Sequence, residues 1–240
     1  MEYISWENIE KSFQGRSQKS GEISRPLAYL SFAFNYYVGK TEVFGYHLVN
    51  FFIHFLAAIF LYLFIANALK LPILQEKYGD KAHSIALLAT FIWAIHPIQV
   101  TAVTYIVQRM ASMAALFYIM AMYLYLKGRL ENNACKQLSF FLGCGLAAGC
   151  AFTSKENAAM LPISILMLDL FLIQGINKKN LIKYAKIAIV PLLLIILLAW
   201  FYTDLTSLLS GYEHRPFSLG ERLMTESRIF FFYISLLLYP

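Results

Sequence analysis

Between Val43 and Ala68 the chain runs without one Asp, Glu, Lys or Arg. A helix needs about 20 apolar residues to cross roughly 30 Å of hydrocarbon, so this stretch is long enough to span a bilayer. The rest of the chain shares its bias. Of 240 residues, 59% are hydrophobic and 14% charged, against roughly 25% charged in a soluble domain. A water-soluble fold of this size needs a polar skin that such a composition does not supply. Glycine (12), proline (7) and cysteine (3) are too few for a collagen-like, disordered or disulfide-scaffolded chain. The chain is therefore read as all-α, a polytopic bundle of transmembrane helices.

Seven apolar runs are read as spans: Val43–Ala68, Ser84–Ile95, Met110–Leu126, Gln137–Phe152, Ala158–Ile173, Ala185–Tyr202, and one beginning near Ile229. Residues 1–42 form an outer-face amphipathic or loop segment and 43–240 the transmembrane helical domain. Met1–Thr41 lacks the basic start and apolar stretch of a secretory signal. Orientation follows from Lys and Arg in short loops. Lys70–His83, Lys127–Lys136 and Gln174–Lys186 hold half of the 20 basic residues against only Glu76, Asp80 and Glu131. The other half, on the opposite side, is matched by an equal number of acids. The net charge of +6 is thus a topology signal that puts the three basic loops inside, and it implies no nucleic-acid partner. The amino-terminal stretch, His96–Arg109, Thr153–Asn157 and Thr203–Arg228 then lie outside. Cys135, Cys144 and Cys150 fall inside or within the fourth span, so no structural disulfide is expected.

Four polar clusters gather toward the outer side. Pro26 restrains Arg25 to an extended conformation, aiming a guanidinium along the membrane surface toward a lipid phosphate. With Tyr29, Tyr36 and Tyr37 nearby, the same segment also reads as an interfacial anchor. His47, Asn50 and His54 are spaced by three and four, which puts them on one helix face turned to the bundle interior. That face reads as interhelical glue and site framing. Two histidines and an amide also suit a metal or proton path, but no carboxylate shares the face and no metal site is assigned. Pro97 ends or kinks the second span, leaving His96 and Gln99 at a rim that continues through an apolar, re-entrant or interfacial Val100–Val107 to Arg109. An arginine beside a helix N-terminus suits a phosphate; the alternative is a snorkelling side chain. Lys155 and Glu156, in the turn Thr153–Asn157, are either loop charges with a helix-dipole role or a cation for an anionic donor and a carboxylate to take a proton. Asp169 is an intramembrane charge toward the inner side that needs a partner. Gly145 and Gly149 form a small-xxx-small packing step.

In this order the segments RPLAYLSFAFNYY, FGYHLVNFFIH, HPIQVTAVTYIVQR, SKENAAMLP and LMLDLF resemble the membrane core of the transmembrane and tetratricopeptide-repeat proteins. These belong to the GT-C superfamily of polyprenyl-phosphate-sugar-dependent glycosyltransferases, and the resemblance covers about Ser24–Gln174. It implies a GT-C-like bundle, a polyprenyl-phosphate sugar donor, an active site at the outer face and transfer to a hydroxyl, with a protein as acceptor. Carried onto this chain, it makes Arg25, His96, Gln99, Arg109 and Lys155 donor-phosphate or site-framing residues and Glu156 the catalytic candidate. Such a transfer needs a carboxylate to deprotonate the acceptor hydroxyl and cations to offset charge on the departing phosphate. A divalent metal is compatible with it, though no pattern in the chain requires one. The membrane implied is the plasma membrane, with the active face outside, or the endoplasmic reticulum in a eukaryote.

The chain also departs from the family. Members begin with a further transmembrane helix and an outer loop bearing an acidic catalytic motif before the RPL segment. Here Met1–Ile23 precedes it, Glu2, Glu7 and Glu10 form no paired-acid motif, and no helical repeat of about 34 residues is present. The expectation is a shortened relative, doubtful as an enzyme by itself. Two other classes stay open. A transporter is motivated by the His47, Asn50 and His54 face together with Asp169, against the absence of an inverted repeat. A noncatalytic membrane scaffold is motivated by the missing acidic motif.

Overall fold

The computed structural model describes residues 25–187, 189 and 217–239. Every regular element among them is helical, as a chain solvated by lipid requires: only structures that satisfy their own backbone groups cross a membrane. The chain divides into two compact units, Met1–Gln174 and Gly175–Pro240.

In the first unit, Pro26 opens α1 (Pro26–Gly39) at a position where a missing N–H costs nothing. Lys40, at φ 51°, ends the helix and returns its N–H to the Tyr36 carbonyl. The second helix, α2 (Val43–Ala68), has the bounds of the first apolar run. Its 26 residues extend about 39 Å, more than the hydrocarbon thickness. Its buried positions are Asn50 and the alanines 57, 58, 66 and 68, whereas Phe51, Phe52 and Phe55 are exposed. This is the membrane pattern: lipid removes any hydrophobic drive between helices, so association relies on small residues that permit close approach.

The short α3 (Pro72–Tyr78) leads into α4 (Ala82–Ile95), which stops at His96–Pro97; a turn and α5 (Val100–Thr104) follow. Pro97 has no N–H to continue the helix. The segments Pro72–Ile95 and Pro97–Thr104 together are apolar enough for one span but bend by 56° at the break. This is the broken or re-entrant stretch read from the sequence. Next, α6 (Arg109–Leu130) and α7 (Ala134–Ser154) form a tightly packed hairpin. A Cβ on Gly128 would sit 2.9 Å from Phe141 Cε1, and one on Gly143 would sit 3.3 Å from Leu124 Cδ1. These glycines make the close approach. Gly145 and Gly149, read as the packing step, have nothing within 4 Å of where a Cβ would lie. The motif is present but its face is open.

A 3₁₀ turn at Glu156–Met160, then α8 (Leu161–Leu168), then a π-helical turn at Asp169–Gln174 complete the unit. The Tyr118 and Ser164 hydroxyls hydrogen-bond α6 to α8. One apolar cluster gathers Ala68, Leu71, Leu126 and Leu168 at the end distant from His96; a second joins Ala121, Cys144, Ala147 and Leu161. Among the described residues four helices are long and apolar enough to cross a membrane, five with the bent pair. The expected span Ala185–Tyr202 lies outside the described residues except for its first turn. In the second unit, residues 178–187 are helical, and α9 (Leu219–Leu238) begins well before Ile229. Ser218 and Glu221 close a capping box at its start. The Ser218 backbone N–H and then its hydroxyl hold the Glu221 carboxyl below the usual range.

Candidate functional site

A chain that leaves one helix at His96 and starts the next at Arg109 frees backbone carbonyls inside the bundle, and each without a partner costs free energy. The polar face of α2 supplies the partners. His54 Nε2 donates to the Ala94 carbonyl (3.0 Å) and His47 Nδ1 to that of Val103 (3.3 Å). Asn50 Nδ2 reaches the carbonyls of Val103 and Tyr105 at 3.4 and 3.5 Å. Spacing by three and four thus turns three side chains toward a single irregular segment.

Arg109 completes this arrangement. It is fully buried at the first position of α6, where the helix dipole disfavours a cation. Its guanidinium is met by oxygen and ring faces. Nε donates to Asn50 Oδ1 (2.7 Å), Nη1 to the Ser31 carbonyl (3.3 Å) and Nη2 to the Tyr46 carbonyl (3.0 Å). The Phe32 and Tyr46 ring centroids lie 4.6 and 5.5 Å from Cζ, within cation–π range. Through one side chain α1, α2 and α6 are joined, and the charge points inward.

Arg25, by contrast, is half exposed and paired. Its Nε and Nη2 donate to the two oxygens of Glu156 at 2.9 and 2.7 Å, a bidentate pair, while Nη1 lies 3.2 Å from Met110 Sδ. The start of α1 is thereby pinned to the turn between α7 and α8. The partnership crosses 131 residues of sequence, and no local pattern announces it. His96 uses its ring to cap the turn after α4, Nδ1 accepting from the Ile98 N–H (3.2 Å).

Two cavities flank the first turns of α6. One, of about 200 Å³, is lined by His54, Trp93, Gln99, Gln108 and Ser112 among others. The other, of about 310 Å³, is largely apolar and is lined by Tyr118, Ile119, Lys155 and Asn157 among others. They share Ala111 and Ala115 as a common wall. Of the residues read from sequence, Gln99, His54 and Lys155 reach these cavities, Arg25 and Glu156 pair, and Asn50 and Arg109 pair in the interior. Trp93, Ser112 and Tyr118 escaped the sequence reading, and Gln108 entered it only as the residue before Arg109; for Trp93 the available signal was proximity to His96. Among the described residues no group of three or more His, Cys, Asp or Glu gathers as metal ligands.

The opposite end of the unit has polar side chains but they are mutually engaged. Arg129 Nε donates to the buried Asp169 Oδ1 at 2.7 Å. Lys70 Nζ donates to His83 Nε2 (2.8 Å), whose Nδ1 stands 2.9 Å from the Tyr62 hydroxyl.

These features define a multi-pass α-helical membrane protein with a polar, cavity-bearing rim. No family model and no solved structure matches the chain. Mouse protein O-mannosyl-transferase TMTC2 is 30% identical over 159 residues, 66% of this chain and 18% of that protein. Drosophila melanogaster Tmtc3, named likewise, is 24% identical over 184 residues, 70% of this chain and 20% of its own. Protein O-mannosyl-transferase F38B6.6 of Caenorhabditis elegans is 30% identical over 161 residues, 65% of this chain and 21% of its own. Over about two thirds of its length the chain is similar to these TMTC proteins. It spans about a fifth of the length of these curated relatives.

Proposed function

We propose that this chain is a GT-C-like glycosyltransferase core that binds a polyprenyl-phosphate sugar at the outer face of its membrane, for transfer to a hydroxyl of a protein acceptor. The observation that carries the reading is Lys155, a cation lining a mostly apolar cavity with Tyr118 and Ile119, in a chain similar to proteins named O-mannosyl-transferases. A lipid phosphate has that polarity: an anionic head on a hydrocarbon tail. Lys155 takes the phosphate, and Arg25 stands by as a second cation. His96 and Arg109 frame the site, the first by capping the turn after α4, the second by locking α1 and α2 to α6.

In the transfer, the bond from the sugar C1 to the phosphate oxygen breaks and a bond from C1 to the acceptor oxygen forms. The acceptor proton passes to a carboxylate, and the charge left on the phosphate is balanced by cations already in position. Glu156 is the carboxylate adjacent to Lys155. Its two oxygens hold Arg25, so in this reading proton uptake requires that pair to open. The plasma membrane is the proposed location. The test uses the purified chain in lipid nanodiscs with undecaprenyl-phosphate mannose bearing labelled sugar and a serine- and threonine-containing peptide. Saturable binding of the lipid, weakened by Lys155→Ala, is expected, and label on the peptide reports competence for transfer. No saturable binding overturns the reading.

A further inference from the structure

We propose that the cavity of about 200 Å³ between α2, α4, α5 and α6 is a recognition site for one neutral sugar ring, read by the amides of Gln99 and Gln108 against a wall of Trp93 and His54. The inference rests on the function proposed above and assigns the sugar a place separate from the phosphate.

The lining argues for a neutral, hydroxyl-rich occupant. Gln99 and Gln108 are half-buried, and neither amide is hydrogen-bonded to another described residue. Each carries two donor hydrogens and an acceptor oxygen. Neighbouring hydroxyls on a ring satisfy both functions of each. Ser112 complements them: its hydrogen is committed to the carbonyls of Ala102 and Gln108 (3.3 and 3.2 Å), which leaves the oxygen as an acceptor. No Lys, Arg, Asp or Glu lines the cavity, so a phosphate gains nothing by entering it. Lys155 belongs to the adjoining cavity, across Ala111 and Ala115.

The wall is specific as well. The His54 ring stacks on Trp93 with centroids 4.9 Å apart and planes 25° from parallel. Because His54 Nε2 is held by the Ala94 carbonyl, the ring is fixed in orientation and presents a face, against which the C–H side of a sugar packs. The volume sets the size of the occupant. It is smaller than the about 300–1,000 Å³ of a site for a drug-sized ligand, and suits one ring rather than an oligosaccharide.

The experiment compares two probes on the full chain in nanodiscs: undecaprenyl phosphate and undecaprenyl-phosphate mannose. The mannosyl lipid is expected to bind about tenfold tighter, the equivalent of about 1.4 kcal/mol. Gln108→Ala is expected to erase most of that difference and leave affinity for the bare lipid phosphate unchanged, and Gln99→Ala to narrow the difference as well. Lys155→Ala should weaken both probes alike. Free methyl α-mannoside, which needs no variant to fold, should remove the advantage of the mannosyl lipid without displacing the bare one. Equal binding of the two lipids, or glutamine variants that weaken both equally, overturns the sugar site and leaves the lipid-phosphate reading standing. Binding of neither lipid overturns both.

Discussion

The two ends of the first unit use charged and polar side chains in opposite ways. At the end of Asp169, Arg129 and a buried carboxylate are closed on each other beside a cluster of Ala68, Leu71, Leu126 and Leu168. At the other end cavities remain, two glutamine amides are uncommitted, and Lys155 lines the second cavity. The lesson is that an intramembrane charge is not by itself a functional mark. Asp169 is the most conspicuous acid in the sequence of the spans, and its geometry is that of a fastening. Function is better sought where polar groups lack protein partners.

Substitutions that break this contrast should separate stability from binding. The largest effect is expected from Arg129→Ala, which leaves Asp169 buried without its cation. It should cost on the order of 3 kcal/mol, seen as a lowered melting temperature in nanodiscs, with affinity for undecaprenyl phosphate retained per folded molecule. Asn50→Leu comes next. It removes the oxygen facing Arg109 Nε and the donor to two carbonyls, and should cost about 1.5–3 kcal/mol; here stability and lipid binding should fall together, because the broken segment that walls the first cavity loosens. Lys155→Ala should reverse the pattern, with an unchanged melting temperature and about tenfold weaker lipid-phosphate binding. Glu156→Gln should lower stability by no more than about 1 kcal/mol, since the pair is 30% and 41% exposed; adding salt should mimic it in the parent chain and do less in the variant.

The legibility of the molecule follows the range of its interactions. The span Val43–Ala68 is readable to the residue because lipid permits one kind of backbone and charge marks its ends. The break at His96–Pro97 is readable because proline acts locally. The common face of His47, Asn50 and His54 is readable from helical period. What the face touches is not: the link from Asn50 to Arg109 crosses 59 residues, and both a phosphate role and a snorkelling role for Arg109 fit the sequence equally well. Sequence also marked Gly145 and Gly149 as packing residues, whereas the close approaches fall at Gly128 and Gly143. Small size is necessary for close approach, but the neighbour decides which glycine is used, and Phe141 and Leu124 lie elsewhere.

The dependence of α2 on a later segment has a consequence for how the protein is made. When Asn50 is synthesised, the carbonyls of Val103 and Tyr105 and the guanidinium of Arg109 are still to come. At roughly 5–20 residues per second, several seconds separate the two. During that interval the amide of α2 lacks the partners it has in the fold. The polar face of α2 is therefore completed stepwise along the chain, by Ala94 for His54, by Val103 for His47, and last by Arg109 for Asn50.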